Sequence, residues 1–228
     1  MEEKCEIKAY EQKEDGCLVT FGNGEQLFFS YDEFYKYSLF DIENGLSRSF
    51  ESLMDSVYED RAFSQGLREA LKSRKTSGEI RKAIAKEIPE EPRERAIERL
   101  SEEQYIDDKR YAVSFVRKCA EEKLYALNMI RLQGKIKGLP EEAVEYAIEY
   151  LETDDRQTAQ KALKKREKEE KLKKKELQTG KKENFNSKKE AMKKAQKLAS
   201  YLGSKGFDFE LIKELVNTEN ISEGDDYD

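Results

Sequence analysis

One acidic segment occurs twice in this chain, and that recurrence restricts its architecture more than any other feature. Ile88-Pro89-Glu90-Glu91-Pro92-Arg93-Glu94-Arg95-Ala96-Ile97-Glu98-Arg99-Leu100 overlays Leu139-Pro140-Glu141-Glu142-Ala143-Val144-Glu145-Tyr146-Ala147-Ile148-Glu149-Tyr150-Leu151 at a constant offset of 51 residues. Each copy is followed, after a short spacer, by an aspartate pair, Asp107-Asp108 and Asp154-Asp155. A period of this size is what stacked helical repeats produce. Repeat helices more often build a binding surface than a catalytic pocket.

Composition agrees with thin helical layers. Hydrophobic residues make up 37% of the 228 and charged residues 40%, too lean a mixture for a thick core. Amphipathic helices that each bury one stripe suit it better. Charge is unevenly placed. Residues 161–205 hold 17 Lys/Arg against 6 Asp/Glu, a net of +11 in a chain whose total is −6, so the remainder carries −17. A basic arm on an acidic body can meet nucleic acid or an acidic protein surface; a solvated Lys/Glu helix has the same composition. Three scattered cysteines, Cys5, Cys17 and Cys119, make no disulfide framework, and no apolar run approaches membrane length. The expectation is a cytoplasmic protein with no membrane partner.

The N-terminus is patterned for strands. Runs around Ile7, Leu18-Val19-Thr20-Phe21 and Leu27-Phe28-Phe29 are separated by turns at Lys13–Gly16 and Gly22-Asn23-Gly24, which reads as a three-stranded meander. Its cover is the aromatic stretch from Tyr31 to Phe40. From Ser49 the spacing is helical. Phe50, Leu53, Met54 and Val57 form one stripe, as do Ala112, Phe115, Val116 and Cys119. Thr76-Ser77-Gly78-Glu79 has capping-box spacing, Pro89 and Pro140 open helices, and Gly138 and Gly206 close them. Gly138 and Gly206 are 68 residues apart rather than 51, so the third unit carries about 17 extra residues, supplied by the Lys/Glu-rich stretch.

These patterns predict a mainly α fold of tandem three-helix repeats in an elongated curved array, with a small N-terminal β-meander. The expected division is a meander with a short helix over 1–48, and repeats over 49–106, 107–152 and 153–218. The third repeat holds an insertion at about 164–189, and an acidic tail covers 219–228.

Catalytic chemistry has little to work with. The chain has no His, which removes imidazole base chemistry, and no phosphate-binding loop or nucleophile elbow occurs. Each aspartate pair suits a divalent ion or a helix N-terminus, and no further ligand cluster accompanies either. No cofactor and no metal are called for. The nucleic-acid candidates are Lys164, Lys165, Arg166, Lys173, Lys174 and Lys175, and the basic run continues through Lys193, Lys194, Lys197 and Lys205. Lysine outnumbers arginine among them, which points to loose electrostatic attraction rather than bidentate readout. Arg110 is a contact residue or an ion-pair partner.

The stretch Tyr105-Ile106-Asp107-Asp108-Lys109-Arg110-Tyr111-Ala112-Val113-Ser114-Phe115-Val116 resembles the central motif of the RecX family, regulators of bacterial RecA recombinase. Thr76-Ser77-Gly78-Glu79-Ile80, Lys137-Gly138-Leu139 and Lys205-Gly206-Phe207 are similar to that family's helix junctions, so the resemblance spans roughly Ala62 to Val216. Two positions depart from it: Leu124 stands where members often have Gly, and Gly134 where an apolar residue is common. The resemblance implies binding in the groove of a RecA filament on single-stranded DNA, slower strand exchange and ATP hydrolysis, and no active site. The expected protein is a monomer with weak direct DNA binding. The residues nominated for the protein partner are Asp108, Arg110, Tyr111, Lys193, Lys194, Lys197 and Lys205.

Overall fold

The computed structural model describes residues 4–177 and 187–222, with side chains over 4–172 and 192–216. It is mainly helical with one antiparallel sheet, as the sequence patterns predict. Two compact units divide it: Met1–Lys75 with Glu79–Ile106, and Thr76–Gly78 with Asp107–Asp228. Most of the tail expected over 219–228 and residues 178–186 of the expected insertion lie outside the described residues.

In the first unit, β1 (Ile7–Lys13), β2 (Gly16–Phe21) and β3 (Gln26–Ser30) form a meander in chain order. Alternation on the central strand buries Cys17, Val19 and Phe21 together with Ile7 and Phe29. Helix α1 (Tyr31–Lys36) begins in a capping box made by Ser30 and Glu33 and contributes Phe34; Tyr37 and Leu39 follow it into the core.

Helix α2 (Phe50–Lys72) serves two cores. Its early stripe, Leu53, Met54 and Val57, packs into the sheet core. Farther along, Ala62 packs with Ile80 and Ile84 from and beside α3 (Ser77–Ala83) and with Ala96, Ile97 and Leu100 of α4 (Glu90–Glu102). Helical spacing reveals that a side is buried but not which body buries it.

In the second unit, α5 (Asp108–Arg117) runs into a π-helical turn at Lys118–Glu122, followed by α6 (Leu127–Lys137) and α7 (Glu141–Tyr150). They enclose Ala112, Val116, Cys119, Ile130, Val144 and Ala147. A further core joins α8 (Asp155–Leu177), α9 (Ser187–Ser204) and α10 (Phe209–Ser222) through Ala159, Leu163, Leu198, Leu202, Phe207 and Ile212. Gly138 (φ 77°) and Gly206 (φ 87°) end α6 and α9 in the left-handed conformation.

The aspartate pairs divide their labour. Asp107 and Asp154 cap their own helices, accepting from Arg110 N at 2.8 Å and Gln157 N at 2.9 Å. The second member reaches elsewhere. Asp108 Oδ1 accepts from Ser77 N at 3.0 Å, and Asp155 Oδ1 accepts from Leu127 N at 2.7 Å. Helix α6 has no capping side chain at its own Ala126, so Asp155 supplies the acceptor that its first N–H needs. A parallel backbone bond accompanies each link: Gly78 N donates to Gly138 O at 3.2 Å, and Ala126 N to Lys205 O at 3.0 Å. We therefore expect Asp155→Ala to cost ~2 kcal/mol, because it orphans the Leu127 N–H, and Asp154→Ala ~1 kcal/mol. Urea unfolding of the two variants checks the order, and equal losses would contradict it.

Two ion pairs register the repeat. Arg81 binds Glu94 in the first unit through two bonds of 2.6 Å, and Arg131 binds Glu145 in the second through bonds of 2.6 and 2.9 Å. The glutamates are 51 residues apart and the arginines 50.

Candidate nucleic-acid interface

A cluster of cations and tyrosines forms where three segments of the second unit meet. The π-helical turn ends at Lys123, and Leu124 follows with φ 55°. That left-handed residue turns the chain, so Lys123 and Tyr125 lie either side of it while the Leu124 side chain is buried in the α8–α10 core. Leucine bears a Cβ that this conformation disfavours, a cost glycine would not carry. The second segment is α8, which supplies Lys165 and Arg166. The third is the end of α9, where Tyr201 and Lys205 stand one helical turn apart.

Lys205 sits at the centre. Its Nζ donates to Lys123 O at 2.8 Å and lies 5.0 Å from the Tyr125 ring centroid and 5.6 Å from that of Tyr201. Lys123 Nζ is 5.5 Å from the Tyr125 ring, and the Arg166 guanidinium 5.4 Å from the Tyr201 ring. Lys165 Nζ lies 3.5 Å from Glu122 O. Partial burial pushes the Lys205 ammonium below the ordinary lysine range, and the like charges of Lys165 and Lys123 push it the same way against the pull of Glu169. Among the described residues Arg166 pairs loosely, with Glu170 at 3.6 Å and Glu169 at 3.8 Å. The positive charge is thus only partly compensated among the described residues, and a polyanion docking there would relieve the repulsion. The tyrosine rings already carry cations, so the chemistry suits phosphate contact rather than base stacking.

The structure separates the nominated residues into groups. It brings Lys165, Arg166 and Lys205 together. Lys164, Lys193 and Lys197 are exposed, while Lys194 faces Glu167 at 3.9 Å, a contact between α9 and α8. The side chains of Lys173, Lys174 and Lys175 lie outside the described residues. Asp108, Arg110 and Tyr111 stand together on α5. Asp108 is engaged by Ser77, Arg110 is exposed, and Tyr111 packs against the α5–α7 core with Lys137 Nζ 5.8 Å from its ring. The sequence reading missed Lys123, Tyr125 and Tyr201. The i, i+4 spacing of Tyr201 and Lys205 was visible; nothing in the sequence ties them to Lys123, 82 residues earlier.

Burial pushes the Cys119 thiol up, away from the thiolate that nucleophilic chemistry needs. Among the described residues no cluster of three or more His, Cys, Asp or Glu side chains is placed to hold a metal, and no helix is long and apolar enough to cross a membrane.

Within each unit short helices are grouped around their own apolar cores, and the second unit bears the cationic cluster. The fold is that of RecX. One crystal structure of regulatory protein RecX superposes with a TM-score of 0.51 at 21% identity, covering 94% of this chain and 99% of its own. The crystal structure of RecX from Lactobacillus salivarius gives 0.52 at 20% identity, covering 73% of this chain and 99% of its own. Neither a protein-family model nor a curated relative matches the chain.

Proposed function

We propose that this protein is a member of the RecX family that regulates RecA recombinase, binding the filament RecA forms on single-stranded DNA and restraining its ATPase and strand exchange. It works in the cytoplasm as a monomer without a cofactor or active site of its own, in the setting of recombinational DNA repair. The observation that carries this reading is the RecX fold over 94% of the chain. The Lys123–Lys165–Lys205 cluster supports it, because a filament on DNA offers phosphates and acidic protein surface together. Asp108, Arg110 and Tyr111, with Lys193, Lys194, Lys197 and Lys205, are the residues proposed for the protein side. Lys164, Lys165, Arg166 and Lys173–Lys175 are proposed for DNA. The division into a meander, three repeats and a tail belongs to the same proposal.

The test is the DNA-dependent ATPase of the cognate RecA with this protein added. Slowed hydrolysis and co-sedimentation with the filament are expected; an unchanged rate without co-sedimentation would end the reading. The cationic cluster also favours a second reading, a sequence-nonspecific nucleic-acid binder that acts alone. Deleting residues 164–189 separates the two: a filament regulator keeps part of its effect on RecA, whereas a lysine-driven DNA binder loses nearly all of its affinity.

A further inference from the structure

On the outer flank of α7, two tyrosines stand where the preceding repeat has arginines. At the repeat offset of 51, Tyr146 corresponds to Arg95 and Tyr150 to Arg99. The arginines are fully employed inside the first unit. Arg95 binds Glu59 at 2.7 Å and Asp55 at 2.9 Å, both from α2. Arg99 binds Glu103 at 2.8 Å and lies over the Phe63 ring of α2 at 4.0 Å. The long α2 thus satisfies that flank of α4. In the second unit the corresponding first helix, α5, is 10 residues long before its π-helical turn, against 23 for α2. Tyr146 and Tyr150 are left 43% and 63% exposed, their rings stacked 5.9 Å apart at 19°.

The charges around the pair decide what can cover it. Glu142 and Glu149 flank the rings on the same face, both exposed and neither in an ion pair among the described residues. A polyanion meets repulsion there. A purely apolar surface would strip water from two carboxylates and give them nothing in return. A cationic side chain satisfies rings and carboxylates together, and the chain already places one there: Lys109 Nζ is 5.5 Å from the Tyr146 ring centroid. A planar guanidinium stacks on a ring while pairing with a carboxylate, which an ammonium does less well.

We propose that the outer face of α7, formed by Tyr146 and Tyr150 with Glu142 and Glu149, is a docking site for an arginine-bearing polypeptide segment. This differs from the RecA reading in its ligand, a cationic polypeptide, and is tested by a readout that contains no RecA; Lys109 places the site beside the α5 residues proposed for that partner. The experiment is calorimetric titration of the full chain with a short Gly-Arg repeat peptide, with circular dichroism confirming that each variant keeps its helices. Saturable binding is expected, weakened about tenfold by Tyr146→Ala/Tyr150→Ala and to a similar extent by Glu142→Gln/Glu149→Gln. A Gly-Lys peptide of equal charge should bind several-fold more weakly. Undetectable binding by the unaltered chain overturns the proposal. So does unchanged affinity in both double variants, which would assign the attraction to the acidic body at large. Loss of single-stranded DNA binding in the tyrosine variant with peptide binding intact would overturn it in favour of a nucleic-acid face.

Discussion

Gly78→Ala should lower the unfolding free energy by ~3 kcal/mol, a larger loss than expected for any single cap. A Cβ at this position would sit 2.4 Å from the Gly138 carbonyl oxygen and 2.7 Å from Gly138 Cα. Both are backbone atoms, and Gly138 is itself held in the left-handed turn that ends α6. Relief by movement is expensive because the residues around Gly78 are bonded into the same place. Gly78 N donates to Gly138 O, Ser77 N to Asp108, and the Thr76 hydroxyl to Lys137 O at 3.0 Å. Displacing the segment would leave buried donors without acceptors, since Thr76 and Ser77 are both buried. Gly203 is the matched control. It lies in α9 with nothing within 4 Å of its would-be Cβ, so Gly203→Ala should stabilise by ~0.5–1 kcal/mol through helix propensity. Urea unfolding of both variants is the measurement. A loss below ~0.5 kcal/mol at Gly78 would show that the Thr76–Gly78 and Gly138 backbones are not as close as described.

The second large effect is on binding. Lys123→Ala/Lys165→Ala/Lys205→Ala should weaken binding to a single-stranded oligonucleotide about a hundredfold at low salt and reduce the slope of log K against log salt by about 2, as expected for three phosphate contacts. Removing the cluster should leave the fold in place, because it removes a partly buried ammonium and the like charges of Lys165 and Lys123 that face it. The comparison variant is Lys193→Ala/Lys197→Ala, which removes two exposed lysines from the outer side of α9. Fluorescence anisotropy over a salt series distinguishes the cases. An equal loss per lysine in the two variants would mean diffuse attraction to the whole arm, and the tyrosine-lined cluster would have no special role.

Local pattern made much of this protein legible. The three-stranded meander followed from two glycine-bearing turns between β-prone runs, and the helix closures at Gly138 and Gly206 from glycine's access to positive φ. Asp107 and Asp154 were readable as caps because the donors they serve are three residues away. Their neighbours were not. Asp108 and Asp155 accept from backbone 31 and 28 residues earlier, and no short-range spacing announces such a bond. Gly134 was equally opaque. It stands where an apolar side chain would be ordinary, yet a Cβ there would come 2.8 Å from Val144 Cγ2, so α6 meets α7 there with no room for a side chain.

By itself the sequence determined the helical character, the period of the repeat and the basic arm, all of which arise from interactions between residues a few positions apart or from counting charge. Tertiary structure alone decided that α2 divides its buried side between two cores, that each second aspartate caps a distant helix, and that Lys123 joins Lys165 and Lys205 around two tyrosines. Those outcomes depend on which surfaces meet after the chain folds back. Periodicity records that a side chain leaves water, but not what it meets when it does.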